Sequence, residues 1–124
     1  MTIQKKIYAV DIKDRCFDFS IALISLLKEV EKTKINNVLV DQLARSGTSI
    51  GANVIESQAS STRKELIRYY RIALKSNYES IYWLKILHFF LKEKENDFNA
   101  LIDEADQIKR ILTSIILKLE EAPK

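Results

Sequence analysis

The scarcity of glycine and proline is the sequence feature that most restricts how this chain can fold. Of its 124 residues, two are glycine and one is proline. Because these residues build the many turns of sheet-rich folds, their scarcity favours helices and argues against a β-sandwich or a β-barrel. A chain of this length can bury one hydrophobic core without disulfides or metals, so we predict a single domain over residues 1–124.

Apolar residues recur every three or four positions in four segments, which is the period of amphipathic helices. The predicted helices cover about residues 11–33, 38–58 and 62–92, and a fourth helix ends before Pro123. Short connections make successive helices antiparallel. We therefore predict an all-α fold, an up-down-up-down four-helix bundle. The inward face of the third helix is predicted to hold Leu66, Tyr69, Tyr70, Ala73, Asn77, Ile81, Leu84 and Leu91.

Short polar side chains mark where these helices begin. Asn36 or Asn37 is predicted to cap the second helix after a polar break at residues 34–37. Thr62 and a glutamate three residues later form a capping box for the third helix. Asn96 or Asp97 is predicted to cap the fourth.

Both glycines lie inside the second helix, where each costs about 1 kcal/mol relative to alanine. Gly47 and Gly51 are four residues apart, so they leave two bare patches of backbone one turn apart. In a membrane this spacing promotes helix dimerisation, but the flanking charges exclude a membrane span here. The pattern therefore predicts close contact between two helices in water.

Composition is typical of a chain that is soluble and mildly basic. The formal net charge is +3, which permits contact with nucleic acid without demonstrating it. The single cysteine, Cys16, excludes an intramolecular disulfide and is expected to face the core. No apolar run approaches the ~20 residues of a transmembrane helix, and no signal peptide is recognisable. We expect a cytoplasmic protein without membrane contact.

The residues needed for catalysis are missing, so we predict that the protein is not an enzyme and binds no cofactor. His88 is the only histidine and has no helical carboxylate partner of the type found in metal sites, so it is expected at the core edge. Ser46 and Ser49 have neither a nearby histidine nor a nucleophile elbow. The glycine-containing segment lacks the lysine and the preceding strand of a phosphate-binding loop.

Four polar residues stand among the apolar positions of the second and third helices: Arg45, Asn53, Glu56 and Glu79. In an antiparallel pair that turns near residue 60, Arg45 lies at about the level of Glu79. We predict an ion pair between them that fixes helix register rather than catalyses a reaction. Asn53 and Glu56 are expected to bond neighbouring helices, because buried polar groups need partners.

The third helix carries a line of cations that continues into tyrosines. Successive spacings of three and four place them on one face, opposite Leu66, Ala73 and Leu84. Such a line can follow phosphates and stack on bases. The alternative is a solvated charged face whose tyrosines pack at a subunit interface. We call this line the basic stripe, and it consists of Lys64, Arg68, Arg71, Lys75, Tyr78 and Tyr82.

Two ordered motifs resemble those of a known family. The first is Q-L-A-R-S-G-T-S-I-G-A-N over residues 42–53, followed by Glu56; the second is I-A-L-K-S over residues 72–76, followed by Glu79 and Y-W-L over residues 82–84. The chain resembles the small helical proteins encoded in intervening sequences of bacterial 23S ribosomal RNA genes. The same family includes the accessory variability determinant proteins of diversity-generating retroelements.

The resemblance implies a four-helix protomer that assembles into a ring-like homopentamer. For the retroelement members it also implies binding to nucleic acid and to a reverse transcriptase. Two hypotheses follow. The first is a non-catalytic homo-oligomeric accessory protein that binds RNA, or an RNA–DNA hybrid, through a basic surface. The second is a protein–protein scaffold that binds no nucleic acid.

Overall fold

The chain folds into four long α-helices. The computed structural model describes the backbone of residues 2–123 and the side chains of residues 12–123. Within residues 2–123 every regular element is helical, which confirms the predicted all-α class. The helices are α1 (Thr2–Leu27), α2 (Lys34–Glu56), α3 (Arg63–Phe90) and α4 (Glu95–Glu121), with 3-10 turns at Ser57–Ala59 and Lys92–Lys94.

The connection between α1 and α2 differs from the prediction. α1 ends at Leu27 rather than near residue 33, and the predicted break at residues 34–37 is the first turn of α2. The cap is Thr33, whose side chain accepts a hydrogen bond from the backbone N–H of Asn36 at 3.1 Å. A threonine oxygen three residues ahead satisfies a free N–H of the first turn, so α2 begins before either predicted asparagine cap.

The start of α3 follows the predicted capping box. The Thr62 side chain accepts from the backbone N–H of Glu65 at 3.1 Å, and the Glu65 carboxylate accepts from the backbone N–H of Ser61 at 3.2 Å. The predicted cap of α4 at Asn96 or Asp97 is wrong. A 3-10 turn runs directly into α4 at Glu95, and no side chain caps that end.

All four helices contribute to one hydrophobic core. α1 packs against α2 and α4, and α3 also packs against α2 and α4. On α3 the fully buried residues include Ser80 and Leu87, whereas the predicted core residues Leu66 and Ile81 are only half-buried. The largest fully buried side chains include Phe19, Leu43, Leu84, Phe98 and Leu112. Among the described residues, no helix is both long enough and apolar enough to cross a membrane.

The glycines of α2 allow α1 to approach closely, as predicted. A methyl group on Gly47 would lie 2.1 Å from Cδ2 of Leu23, and one on Gly51 would lie 3.1 Å from Cβ of Cys16. Cys16 is buried as expected, and this burial, followed by the nearby Glu104 carboxylate, raises the pKa of its thiol to about 12. The thiol is therefore a packing group of the α1–α2 contact.

Candidate nucleic-acid interface

The six residues of the basic stripe are all exposed along the outer face of α3. Tyr78 and Tyr82 have 57% and 61% of their surface accessible. The opposite face of α3 is buried, as the periodicity predicted, with Ala73 and Leu84 in the core. At 1.5 Å per residue, the stripe from Lys64 to Tyr82 extends about 27 Å. The face thus presents charge and aromatic rings to solvent in one line.

An open groove of about 1020 Å³ lies beside the first turns of α3 and the end of α4. Lys64, Arg68 and Arg71 of the stripe line this groove, and Ile67 and Leu119 add apolar surface to it. The groove therefore combines apolar surface with cationic side chains. A ligand of matching chemistry has anionic groups next to flat apolar ones, as a nucleotide does.

One cation of the stripe and one cation beside it already have acceptors on α4. Arg71 forms an ion pair with Glu120. Lys109 of α4 lies 5.5 Å from the ring centre of Tyr78, and its amino group is 2.9 Å from Asp106, whose pKa this hydrogen bond lowers. The Lys109 charge is thus shared between a carboxylate and the Tyr78 ring.

The predicted ion pair between Arg45 and Glu79 is wrong. Both residues are exposed, and the ion pairs within residues 12–123 do not include this one. Glu79 instead accepts a hydrogen bond from Nε1 of Trp83, one turn further along α3, at 3.1 Å. Water already solvates both exposed side chains, so an ion pair between them would add little stability.

The predicted bonds from Asn53 and Glu56 to neighbouring helices are also not formed. Asn53 donates to the backbone oxygen of Ser49 at 2.8 Å, within α2, and Glu56 is exposed. Asn53 thus bonds within its own helix, and Glu56 faces the solvent. Together with Arg45 and Glu79, they contribute little directly to the contact between helices.

Serine hydroxyls for which no partner was predicted connect α2 to α3. The hydroxyl oxygens of Ser46 and Ser80 are 2.9 Å apart, and those of Ser49 and Ser76 are 3.0 Å apart. Their signal in the sequence is small polar residues three or four positions apart on both helices. Short side chains bring the two helices close together and at the same time satisfy their own polar atoms.

A buried amide connects α3 to α4. Asn77 is fully buried, and its Nδ2 donates to the backbone oxygen of Ala105 at 2.9 Å. Its Oδ1 atom is buried and has no hydrogen-bond partner among the described residues. This residue was predicted to face inward because of its position in the apolar pattern, and it does.

The described side chains offer no arrangement for metal binding. Within residues 12–123, no three His, Cys, Asp or Glu residues come together closely enough to hold a metal ion. His88 lies half-buried at the core edge as expected, with Nε2 3.8 Å from a carboxylate oxygen of Glu95.

Comparison with known proteins identifies the family. No curated protein matches this chain. One solved structure, described as a protein of unknown function from the S23 ribosomal protein family of Bacteroides thetaiotaomicron VPI-5482, is similar with a TM-score of 0.81 and 30% identity. The similarity covers 89% of this chain and 98% of the other. The sequence profile described as 23S rRNA-intervening sequence protein matches residues 9–114. The chain therefore belongs to the family of 23S rRNA-intervening sequence proteins, as its two motifs predicted.

Proposed function

We propose that this protein is a non-catalytic, homo-oligomeric accessory protein of the cytoplasm that binds RNA through the basic stripe of α3. The observation that carries the proposal is the exposure of four cations and two tyrosines on one face, beside an open groove. Lysine and arginine neutralise phosphates and release counterions, and exposed tyrosine rings stack on unpaired bases. An RNA–DNA hybrid has the same phosphate chemistry and is a second candidate ligand.

The proposed assembly is a ring-like pentamer of antiparallel four-helix bundles. The hydrogen bonds that join Ser46 to Ser80 and Ser49 to Ser76 support the antiparallel pairing, because residue numbers rise along α2 as they fall along α3. Family membership supports the ring. A ring repeats the stripe around an axis, so one RNA can contact several copies and gain affinity from each. A reverse transcriptase is a candidate protein partner of such a ring.

Charge reversal on the stripe tests RNA binding. The variant Arg68→Glu/Lys75→Glu avoids Arg71, which already pairs with Glu120. We expect its affinity for a structured RNA to fall at least about tenfold at low salt, because two phosphate contacts are lost. The slope of log K against log salt should decrease in magnitude by about 1.4 to 1.8 for two lost contacts. Fluorescence anisotropy at several salt concentrations measures both quantities.

A matched control separates the stripe from overall charge. Lys28→Glu/Lys34→Glu produces the same change in net charge at exposed positions that flank the α1–α2 connection. That connection contacts the α3–α4 connection through the ion pair of Glu29 with Lys94, whereas the stripe starts at the opposite end of α3. We expect a much smaller loss from the control. Equal losses in the two variants, or none in either, would contradict binding through the stripe.

The second candidate function is a protein–protein scaffold that binds no nucleic acid. Exposed apolar side chains favour it, because Phe17 and Ile55 border a small apolar groove between α1 and α2, and Ile21 is exposed one turn beyond Phe17. Such surfaces are typical of subunit interfaces.

Light scattering after size-exclusion chromatography measures the assembly that both candidates share. We expect a particle of about five times the 14.4 kDa mass of one chain. A monomer would contradict the ring. A pentamer that does not retard RNA or DNA at low salt would favour the scaffold over the RNA-binding protein.

A further inference from the structure

The end of α4 places oxygen acceptors against cations at the start of α3. Arg71 donates to the carboxylate of Glu120, and Arg63 donates to the backbone oxygens of Ala122 and Pro123. All but Pro123 line the open groove beside the stripe. Two guanidinium groups at the groove therefore already bind oxygens from the same chain, where phosphate oxygens of a ligand would otherwise bind.

The position of Glu120 is unfavourable for α4 taken alone. The C-terminal end of a helix carries a partial negative charge, so acidic side chains there are repelled. The last turn of α4 nevertheless holds Glu120 and Glu121, with Lys118 as its basic residue. The guanidinium of Arg71 compensates this repulsion at Glu120. The carboxylate is thus held at the groove by its partner on α3.

The contact between Arg71 and Glu120 is also easily exchanged. The two side chains are 58% and 37% exposed, and an ion pair at such a surface contributes about 0 to 1 kcal/mol. A phosphate group offers arginine the same paired geometry as a carboxylate. An RNA phosphate can therefore replace Glu120 at a small cost, and the carboxylate can return when the RNA leaves.

We propose that Glu120 is an intramolecular competitor of nucleic acid: its carboxylate occupies the phosphate position at Arg71 and leaves when RNA binds the first turns of α3. This inference rests on the proposed function of the basic stripe. The competition lowers affinity for ligands that contact only this end of the stripe. It favours longer ligands, which gain enough contacts elsewhere on the stripe to displace the carboxylate.

Neutralisation of Glu120 tests the competition. We expect Glu120→Gln to raise the affinity for a structured RNA about fivefold at low salt and to steepen the salt dependence by about 0.7 to 0.9, the effect of one additional phosphate contact. Glu121→Gln is the matched control, because it removes the same charge from the adjacent exposed residue. Equal gains in the two variants would show a general charge effect and overturn the proposal.

The dependence on Arg71 makes the test specific. In an Arg71→Gln background, Glu120→Gln should no longer increase affinity, since the phosphate position has lost its arginine. Circular dichroism checks that each variant retains its helices. If wild type and Glu120→Gln both fail to bind RNA, the proposed function is wrong, and the competition with it. If wild type binds and Glu120→Gln gains no more than its control, the competition alone is wrong.

Discussion

Replacement of Asn77 by aspartate is expected to reduce the free energy of unfolding by about 3 kcal/mol at pH 7, the cost of a buried charge that has lost its hydrogen bond. Asn77 is fully buried, and its Nδ2 donates to the backbone oxygen of Ala105. A carboxylate at this position would bring a negative oxygen against that carbonyl. Its second oxygen would replace Oδ1, which has no hydrogen-bond partner within the described part of the chain.

The effect of Asn77→Asp should depend on pH in a defined direction. A protonated carboxyl can donate its O–H to the Ala105 oxygen, so the folded state raises the pKa of the new aspartate above its ordinary value of about 3.9. The unfolded chain is deprotonated above that value, so the variant loses stability as the pH rises. At pH 4.5 the difference from wild type should be below about 1 kcal/mol, because one pKa unit corresponds to about 1.4 kcal/mol.

Urea unfolding at pH 4.5 and pH 7 measures this difference, with both proteins at one concentration because oligomers gain stability from association. Asn99→Asp is the control, since Asn99 is exposed on α4. We expect a change of less than about 0.5 kcal/mol for the control at either pH. A loss in Asn77→Asp that is independent of pH would show that shape, and not charge, determines this site.

Gly47→Val is expected to cost about 3 kcal/mol of stability through overpacking between α1 and α2. Even the first added carbon at Gly47 would lie 2.1 Å from Cδ2 of Leu23 and 3.7 Å from Cε2 of Phe19. Carbon atoms in contact prefer about 3.5 to 4.0 Å. Leu23 and Phe19 are buried at 0% and 2% exposure, so moving them disturbs the closely packed core around them.

Thermal or urea unfolding of Gly47→Val measures the loss, and two further variants identify its cause. Gln42→Val places the same side chain at an exposed position of α2 and should change stability by about 0.5 kcal/mol. Leu23→Ala removes the blocking carbon, so Gly47→Ala should cost less in that background than in wild type. Equal costs in the two backgrounds would show that Leu23 is not the obstacle.

Short-range sequence patterns predicted the helices well because their causes are local. The apolar period of three to four located all four helices, and the capping box at Thr62 and Glu65 formed as expected. The start of α2 was missed because Thr33, Asn36 and Asn37 are all good caps in isolation. The choice among them depends on where α1 ends, and α1 ends at Leu27, before its apolar pattern does.

The partners of polar side chains were predicted less well. They depend on how the helices are rotated and how far apart they lie, as well as on the height of each residue along its helix. Arg45 and Glu79 were matched by level along α2 and α3, but both residues are exposed and do not meet. Ser46 and Ser80 do meet, through short side chains for which no partner was predicted. The exposure of the basic stripe was predictable, since it follows from the same period that buries the opposite face.

The glycines and serines of α2 imply that packing and surface chemistry are separable in this protein. Gly47 faces α1 and Ser46 faces α3, so adjacent residues of α2 hold both neighbouring helices close. The outer positions of α3 hold none of these contacts. We therefore expect α3 to accept many substitutions on its outer face at little cost in stability. Such a surface can be redesigned in the laboratory while the scaffold stays the same.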